Sequence, residues 1–265
     1  MASTLGYSRQ YLYKKRKQEQ LIAEQSKKIK VISEEQRKLL PRLGGKKLYH
    51  QIKPILLRDG VKLGRDKFFA VLREHDMLIK PQRRYIQTTI SRHWMRKYPN
   101  IVKGLKIERP EQVWVSDITY IKTDEGNCYL NLVTDAFSRK IMGYSLANSM
   151  DTDAMIKAYE MGLKKRKYPQ LQLIHHSDRG LQYCSKEYVA LSSKNNIRIS
   201  MTEDSDPYEN ALAERMNRTL KEEFGLGQKL KSMLQAEILV YEAVKLYNTI
   251  RPHLSLKMKT PEMVH

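Results

Sequence analysis

Gln112-Val113-Trp114-Val115-Ser116-Asp117-Ile118-Thr119-Tyr120-Ile121 is rich in β-branched and aromatic residues and reads as a strand. Its side chains alternate between two faces, Val113, Val115, Asp117 and Thr119 on one and Trp114, Ser116, Ile118 and Tyr120 on the other. Apart from Asp117 the strand is largely apolar. A carboxylate in its middle is costly unless it is paired or binds a metal. Downstream, Glu125-Gly126-Asn127 is a turn, Cys128 to Thr134 a second strand and Lys140 to Leu146 a third. Such short connections make an antiparallel meander. A helix follows over Asp151 to Lys165, then a short apolar strand, Leu171 to His176, that runs into Ser177-Asp178-Arg179-Gly180. Ser185 to Asn195 reads as a helix and Ile197 to Met201 as a strand. Asp206 to about Phe224 and Met233 to Asn248 read as helices. Strands separated by helices pair in parallel. The expected fold is α/β: a mixed sheet, three antiparallel strands and then parallel ones, flanked by helices.

Upstream the texture differs. Residues 8–40 are rich in Lys, Arg, Gln and Glu without Pro or Gly, which favours helix. Between Lys46 and Lys80, two amphipathic stretches (Leu48, Ile52, Ile55, Leu56, then Phe68, Phe69, Val71, Leu72) flank a Gly-containing turn at 59–66. Basic residues, among them Arg65 and Lys67, open the second stretch. This suits a helix-turn-helix, or an ordinary helical hairpin. The expected division is a basic helical segment over 1–40, a helix-turn-helix over 41–82, a basic aperiodic linker over 83–107 and the α/β domain over 108–265.

The charge follows that division. Residues 1–107 hold 27 of the 49 Lys and Arg but only 8 of the 29 Asp and Glu, leaving the remainder of the chain near neutral. A basic half on a near-neutral half points to a polyanion, and nucleic acid gains most from it because basic side chains displace its condensed counterions. A ribosomal or membrane-surface protein is the plainer alternative. The longest apolar runs fall short of the 18 residues a membrane span needs, so no membrane is expected. Two cysteines, Cys128 and Cys184, are too few for a disulfide framework or a four-Cys zinc site, and a reduced cytoplasmic compartment is expected.

Three acids stand out by position. Asp117 lies inside the first strand, Asp178 at the carboxyl end of a buried strand, where open α/β sheets place their sites, and Glu214 on a helix. On that helix Asn210, Glu214, Asn217 and Lys221 share one face. Oxygen ligands from separate elements suit Mg²⁺ or Mn²⁺, and two such ions about 4 Å apart clamp both oxygens of a phosphodiester displacement. Each acid also has an ordinary reading, as a turn former, an edge residue or a solvated helix acid. Asp135, Asp204 and Asp206 are of similar type and read as turn or loop residues.

Trp114-Val115-Ser116-Asp117-Ile118-Thr119-Tyr120, His176-Ser177-Asp178-Arg179-Gly180-Leu181-Gln182-Tyr183 and Glu209-Asn210-Ala211-Leu212-Ala213-Glu214 with Lys221 resemble the integrase-core transposases of bacterial insertion sequences. The likeness is to the second open-frame product of the IS-three family. Asp178 and Glu214 are separated by 35 residues, that family's gap, and the tail Tyr247-Asn248-Thr249-Ile250-Arg251-Pro252-His253 resembles its ending. Leu5-Gly6-Tyr7-Ser8-Arg9 and residues 41–80 match more loosely. Leu43-Gly44-Gly45-Lys46 stands where the family often has Tyr-Gly-x-Arg, and Glu209 replaces its usual Asp.

The resemblance implies an RNase H-like fold and a DDE transposase. Asp117, Asp178 and Glu214 would hold two Mg²⁺ or Mn²⁺ ions per site for strand cleavage and strand transfer at element ends. Lys221, Asn210, Arg179, Arg65, Lys67, Arg83 and Arg84 are the residues expected to touch DNA. The partners implied are double-stranded DNA, both element ends and target, and at least one further copy of the chain on that DNA. Fusion to, or partnership with, an upstream-frame product is a further expectation. The expected place of action is the bacterial cytoplasm, at the nucleoid. A retroviral-type integrase is a rival, although its zinc domain needs cysteines ahead of the core and both lie within it here. A DNA-binding regulator with an inert core is another.

Overall fold

A computed structural model describes residues 9–80, 95–203 and 210–265. The chain forms two compact units, 1–81 and 82–265.

The first unit is three helices, α1 (Arg9–Leu39), α2 (Gly45–Arg58) and α3 (Arg65–Glu74). The sequence from 9 to 39 holds no breaker, hence one long helix. Leu48, Ile52 and Leu56 of α2 and Phe68 and Leu72 of α3 are buried together with Ile29, Leu40 and Leu43. The turn between α2 and α3 closes because Gly60, at φ 76°, takes the left-handed conformation and Val61 N–H reaches back to Leu56 O at 2.8 Å. Two short helices around a tight turn therefore exist as expected. Arg65 and Lys67 stand exposed at the start of α3, with Arg65 Nε 3.1 Å from Asp66 Oδ1. Helix α1 packs on both α2 and α3, so it shares their core.

The second unit is built on a five-stranded sheet in the order β3-β2-β1-β4-β5: β1 (Val113–Thr123), β2 (Gly126–Asp135), β3 (Ile141–Ala147), β4 (Leu173–Ser177) and β5 (Ile197–Met201). The β1–β2 and β2–β3 pairs are antiparallel; β1–β4 and β4–β5 are parallel. This is the mixed sheet the strand order implies. The helices are α4 (Thr152–Lys164), α5 (Lys186–Lys194), α6 (Ala211–Glu223), α7 (Met233–Thr249) and the single-turn α8 (Pro261–Val264). Both faces of the sheet are covered, which is why β1 is apolar on both. Trp114 and Ile118 pack with Met155, Ala158, Tyr159 and Tyr188 from α4 and α5. Val113 and Val115 pack with Ile174 and with Ala213 of α6. Helix α4 lies directly on β3 at Gly143, where a Cβ would overlap the Ala158 carbonyl.

One expected boundary moves. The stretch read as a linker over 83–107 is, from Met95 onward, part of this unit: Met95 and Tyr98 pack on one core and Ile101, Val102 and Ile107 on the other. Ile101 N–H donates to Ser200 Oγ at 3.1 Å, and Met201 N–H donates to Pro99 O. The basic residues between these apolar ones hide them from a periodicity search. Among the described residues, no helix is long and apolar enough to cross a membrane.

Candidate active site

Strand β1 runs parallel to β4 with Val113 beside Ile174 and Val115 beside His176. Extending that register by two residues sets Asp117, in the middle of β1, level with Asp178, just past the carboxyl end of β4, on the same face of strands that lie about 4.8 Å apart. Asp178 turns the chain by accepting Gly180 N–H on Oδ1 at 3.0 Å. Helix α6 packs over β1 on this face through Ala213. Its entry is tied to the strand, since Asn210 Nδ2 donates to Ser116 O at 3.1 Å. Glu214 follows one turn later.

The electrostatics record the convergence. The carboxyl of Asp117 is only partly exposed, and burial together with the charge of Asp178 pushes its pKa up to about 7; Glu214 adds to the rise. Two hydrogen bonds oppose it, from Asn217 Nδ2 to Oδ2 at 2.8 Å and from Ile118 N–H to Oδ1 at 2.9 Å. Glu214 is itself raised by burial, against the pull of Arg218. Lys221, two turns along α6, sits with Nζ 4.2 Å from the centre of the Tyr120 ring. Burial lowers its pKa while Asp117 pulls it back up. Asp117 thus responds to both other acids as neighbouring charges. Among the described residues, no three His, Cys, Asp or Glu side chains close to the spacing of metal ligands.

Beneath this face, a polar chain crosses the buried side of the sheet. Ser116 Oγ lies 2.5 Å from His175 Nε2, and His175 Nδ1 lies 2.8 Å from the Tyr188 hydroxyl. His175 stacks on Tyr159 at 4.5 Å, and burial, helped by His176, pushes its pKa down to about 3, so the ring is neutral. On the opposite face, the one that bears Asp117, His176 Nδ1 lies 2.9 Å from Ser200 Oγ of β5. These bonds stitch β1, β4 and β5 side by side and fix the spacing of Asp117 and Asp178.

The expected residues therefore fall into groups. Asp178, Glu214 and Lys221 each lie near enough to Asp117 to interact with it as charges. Asn210 is buried, and its amide N–H₂ is committed to the β1 backbone; its Oδ1 finds no partner among the described residues. Arg179 follows Asp178 directly and is half-buried. Arg65 and Lys67 belong to the other unit, and Arg83, Arg84, Asp204, Asp206 and Glu209 lie outside the described residues. Asp135 closes β2, fully buried, accepting from the N–H groups of Glu111 and Ser138 and from Ser138 Oγ, each at 2.7 Å. Two residues gain importance beyond the sequence reading. Asn217, placed on the Glu214 face by its spacing, grips Asp117 itself. His175 carries the signal of a polar residue within a wholly buried strand.

Models of the integrase core domain match residues 107–207 and 195–261. The transposase for insertion sequence element IS904 of Lactococcus lactis is 33% identical over 178 residues, 64% of this chain and 70% of that protein. Transposase InsF for insertion sequence IS3A of Escherichia coli is 33% identical over 186 residues, 69% of this chain and 64% of that protein. Among solved structures, the simian T-cell lymphotropic virus intasome in complex with PP2A regulatory subunit B56 gamma aligns with a TM-score of 0.52 at 17% identity, over 84% of this chain and 74% of that one. That likeness is one of fold.

Proposed function

Because this chain belongs to the IS3, or IS-three, family of DDE transposases, polynucleotidyl transferases of DNA transposition and integration, we propose that Asp117, Asp178 and Glu214 are the acids that serve its chemistry. The observation that carries this reading is the placement of Asp117, level with Asp178 by the β1–β4 register and bonded at 2.8 Å by Asn217 of the helix that bears Glu214; burial and Asp178 push its pKa up to about 7, in keeping with that placement. Like charges held this close await a cation or a proton.

The donor set fits a hard divalent ion, since carboxylates from a strand, a strand end and a helix offer only oxygen. Asp117, Asp178 and Glu214 would hold the Mg²⁺ or Mn²⁺ ions, two per site. Such ions supply the positive charge that favours an attacking hydroxide and a departing oxyanion. The side chains here bind and orient. Asn217 holds one Asp117 oxygen and Ile118 N–H the other, so the carboxylate cannot swing. Lys221, steadied on Tyr120, offers a cation to a DNA phosphate beside the acids. Two in-line displacements follow: water at an element end, then the freed 3′-hydroxyl at the target phosphodiester. Neither needs a covalent bond to the protein.

The basic unit is proposed to hold the element ends. Its α2–turn–α3 places Arg65 and Lys67 exposed at the start of the second helix, where a helix-turn-helix reads base edges. Arg179 and, from the sequence, Arg83 and Arg84 add phosphate contacts. Joining two ends and a target requires at least two copies on the DNA. Fusion to an upstream-frame product, and action at the nucleoid within the cytoplasm, complete the reading.

The test is strand cleavage of DNA carrying the ends of the encoding element, with Mg²⁺. Asp117→Asn, Asp178→Asn and Glu214→Gln should each lower the rate by about 1,000-fold or more. Wild-type rates in all three would remove the assignment.

A further inference from the structure

The segment Tyr247 to His253 carries no carboxylate, and nothing in the site just described uses it. It is nevertheless tied, side chain by side chain, to the helix that bears Glu214. Tyr247, fully buried, rests its hydroxyl 3.0 Å from Met216 Sδ on α6, two residues beyond Glu214. Arg251, 4% exposed, grips Glu223 at the other end of α6 with two parallel bonds: Nε and one terminal nitrogen each donate to a carboxylate oxygen at 2.7 Å. The guanidinium lies over the Tyr247 ring at 5.4 Å, and its remaining nitrogen is 2.9 Å from His253 Nε2. The His253 ring meets Tyr247 edge-on at 4.9 Å. Asn248 anchors the whole to the sheet. Its amide N–H₂ donates to Ile141 O at 3.0 Å, and its Oδ1 accepts Ile141 N–H at 2.9 Å, as a further strand would at the start of β3.

Met216 and Glu223 are two helical turns apart, about 10 Å along the axis. A helix held at one point can roll or tilt about it. Held at two points two turns apart, it can do neither. Roll matters because a turn of about 20° at the ~5–6 Å radius of a helix with its side chains moves a carboxylate by about 2 Å. We propose that Tyr247–His253 is a clasp that fixes the rotation of α6 against the sheet, and that Arg251 and Tyr247 are positioning residues for Glu214. The paired geometry of the guanidinium is what sets the angle, and a lysine ammonium, a point charge, cannot reproduce it. This inference rests on Glu214 being one of the three acids proposed above.

The experiment compares Arg251→Lys, Tyr247→Phe and Glu214→Gln with the wild-type full chain. Each is measured for thermal unfolding, binding to element-end DNA in Ca²⁺, and cleavage of the bound DNA across a Mg²⁺ titration. Arg251→Lys should fold and bind ends as wild type does. Its half-saturating Mg²⁺ should rise about 10-fold, and its cleavage rate per bound complex should fall about 10- to 100-fold, the scale of a displaced ligand or a 1 Å misplacement. Tyr247→Phe, which removes only the hydroxyl on Met216, should shift both readings the same way by less, and it carries the test if Arg251→Lys fails to fold. A merely structural role would lower the unfolding temperature and leave the Mg²⁺ midpoint and the rate per complex at wild-type values; that result overturns the clasp. Wild-type cleavage by Glu214→Gln would instead overturn the reading of the acids, and the clasp's purpose with it.

Discussion

Strand β1 meets buried acids at two stations, and the fold handles them in opposite ways. Just ahead of its first residue, Glu111 and Asp135 are fully buried and fully supplied. Glu111 accepts from Arg166 Nε at 3.1 Å, from Lys167 N–H at 2.6 Å and from Tyr168 N–H at 3.1 Å, with His265 Nε2 3.5 Å away. Asp135 takes three donors, and Ser138 Oγ passes the chain on to His265 Nδ1 at 3.0 Å. Four residues along, Asp117 receives two neutral donors and faces Asp178 and Glu214. The first station joins the start of β1 to the end of β2 and to the loop after α4. The second is a set of like charges that the fold holds together at a cost. Acids whose bonds tie elements together are structural; an acid whose pKa its acidic neighbours raise, as Asp178 and Glu214 raise that of Asp117, is placed to take up a cation or a proton.

The sharpest way to break this contrast is to neutralise each station in turn. Asp117→Asn or Asp178→Asn should abolish cleavage, about 1,000-fold or more, while leaving the unfolding temperature unchanged or higher, because a repulsion is removed. Glu111→Gln should do the reverse. Replacing the buried partner of Arg166 leaves a guanidinium poorly paired, and about 3 kcal/mol of stability should go, while the folded fraction still cleaves at the wild-type rate. Asp135→Asn should cost about 2 kcal/mol in the same sense, through weakened bonds to Glu111 and Ser138. Chemical denaturation and single-turnover cleavage on the same samples decide it. A Glu111 variant that folded normally but cleaved poorly would erase the distinction between the stations.

The sequence separated these stations only in part. Strict alternation along 113–121 set Asp117 on one face, and the end of the next buried strand marked Asp178; helical spacing supplied Glu214, Asn217 and Lys221, while the pairing of β1 with β4 that brings the two Asp residues level came only with the structure. Asp135 resembled Asp117 from sequence, each an acid next to apolar strand residues. What divides them is which donors reach them, and those come from residues as distant as His265, far beyond any local pattern. Glu111 was harder still, since it takes φ 55° to place its carboxylate among backbone N–H groups, and no composition signals that in a non-glycine residue. The stretch 95–107 was unreadable for another reason. Its apolar residues are spread irregularly because they serve two different cores, so neither period appears.

That last point gives a smaller, separable effect. Removing residues 1–81 should leave a folded core that has lost binding specific to element ends and much of its salt dependence. Removing 1–107 should further strip Met95, Tyr98, Ile101, Val102 and Ile107 from the core, at a cost of about 3 kcal/mol or more in cooperative unfolding. Equal unfolding midpoints for the two truncations would mean that this stretch adds nothing to the core.

The smallest effect is a pH signature of the repelling station. A group whose folded pKa is raised stabilises the fold when protonated, so the contribution from Asp117 is complete below its ordinary value of 3.8 and is lost as pH climbs to about 7. Above that, the ionised carboxylate opposes folding in the absence of a cation. Because the carboxyl is partly exposed, the loss should be on the order of 1 kcal/mol, a shift of about 2–4 °C. Acid unfolding driven by other carboxylates is common to wild type and Asp117→Asn, so it cancels in their difference. Between pH 5 and 8 in EDTA, the wild type should therefore lose ground to Asp117→Asn, and Mg²⁺ should restore more stability at pH 8 than at pH 5, since it competes with the proton for the same oxygens. A difference that stayed flat across that range would mean that Asp117 ionises as a solvated acid does, and that the two stations of β1 differ in partners but not in strain.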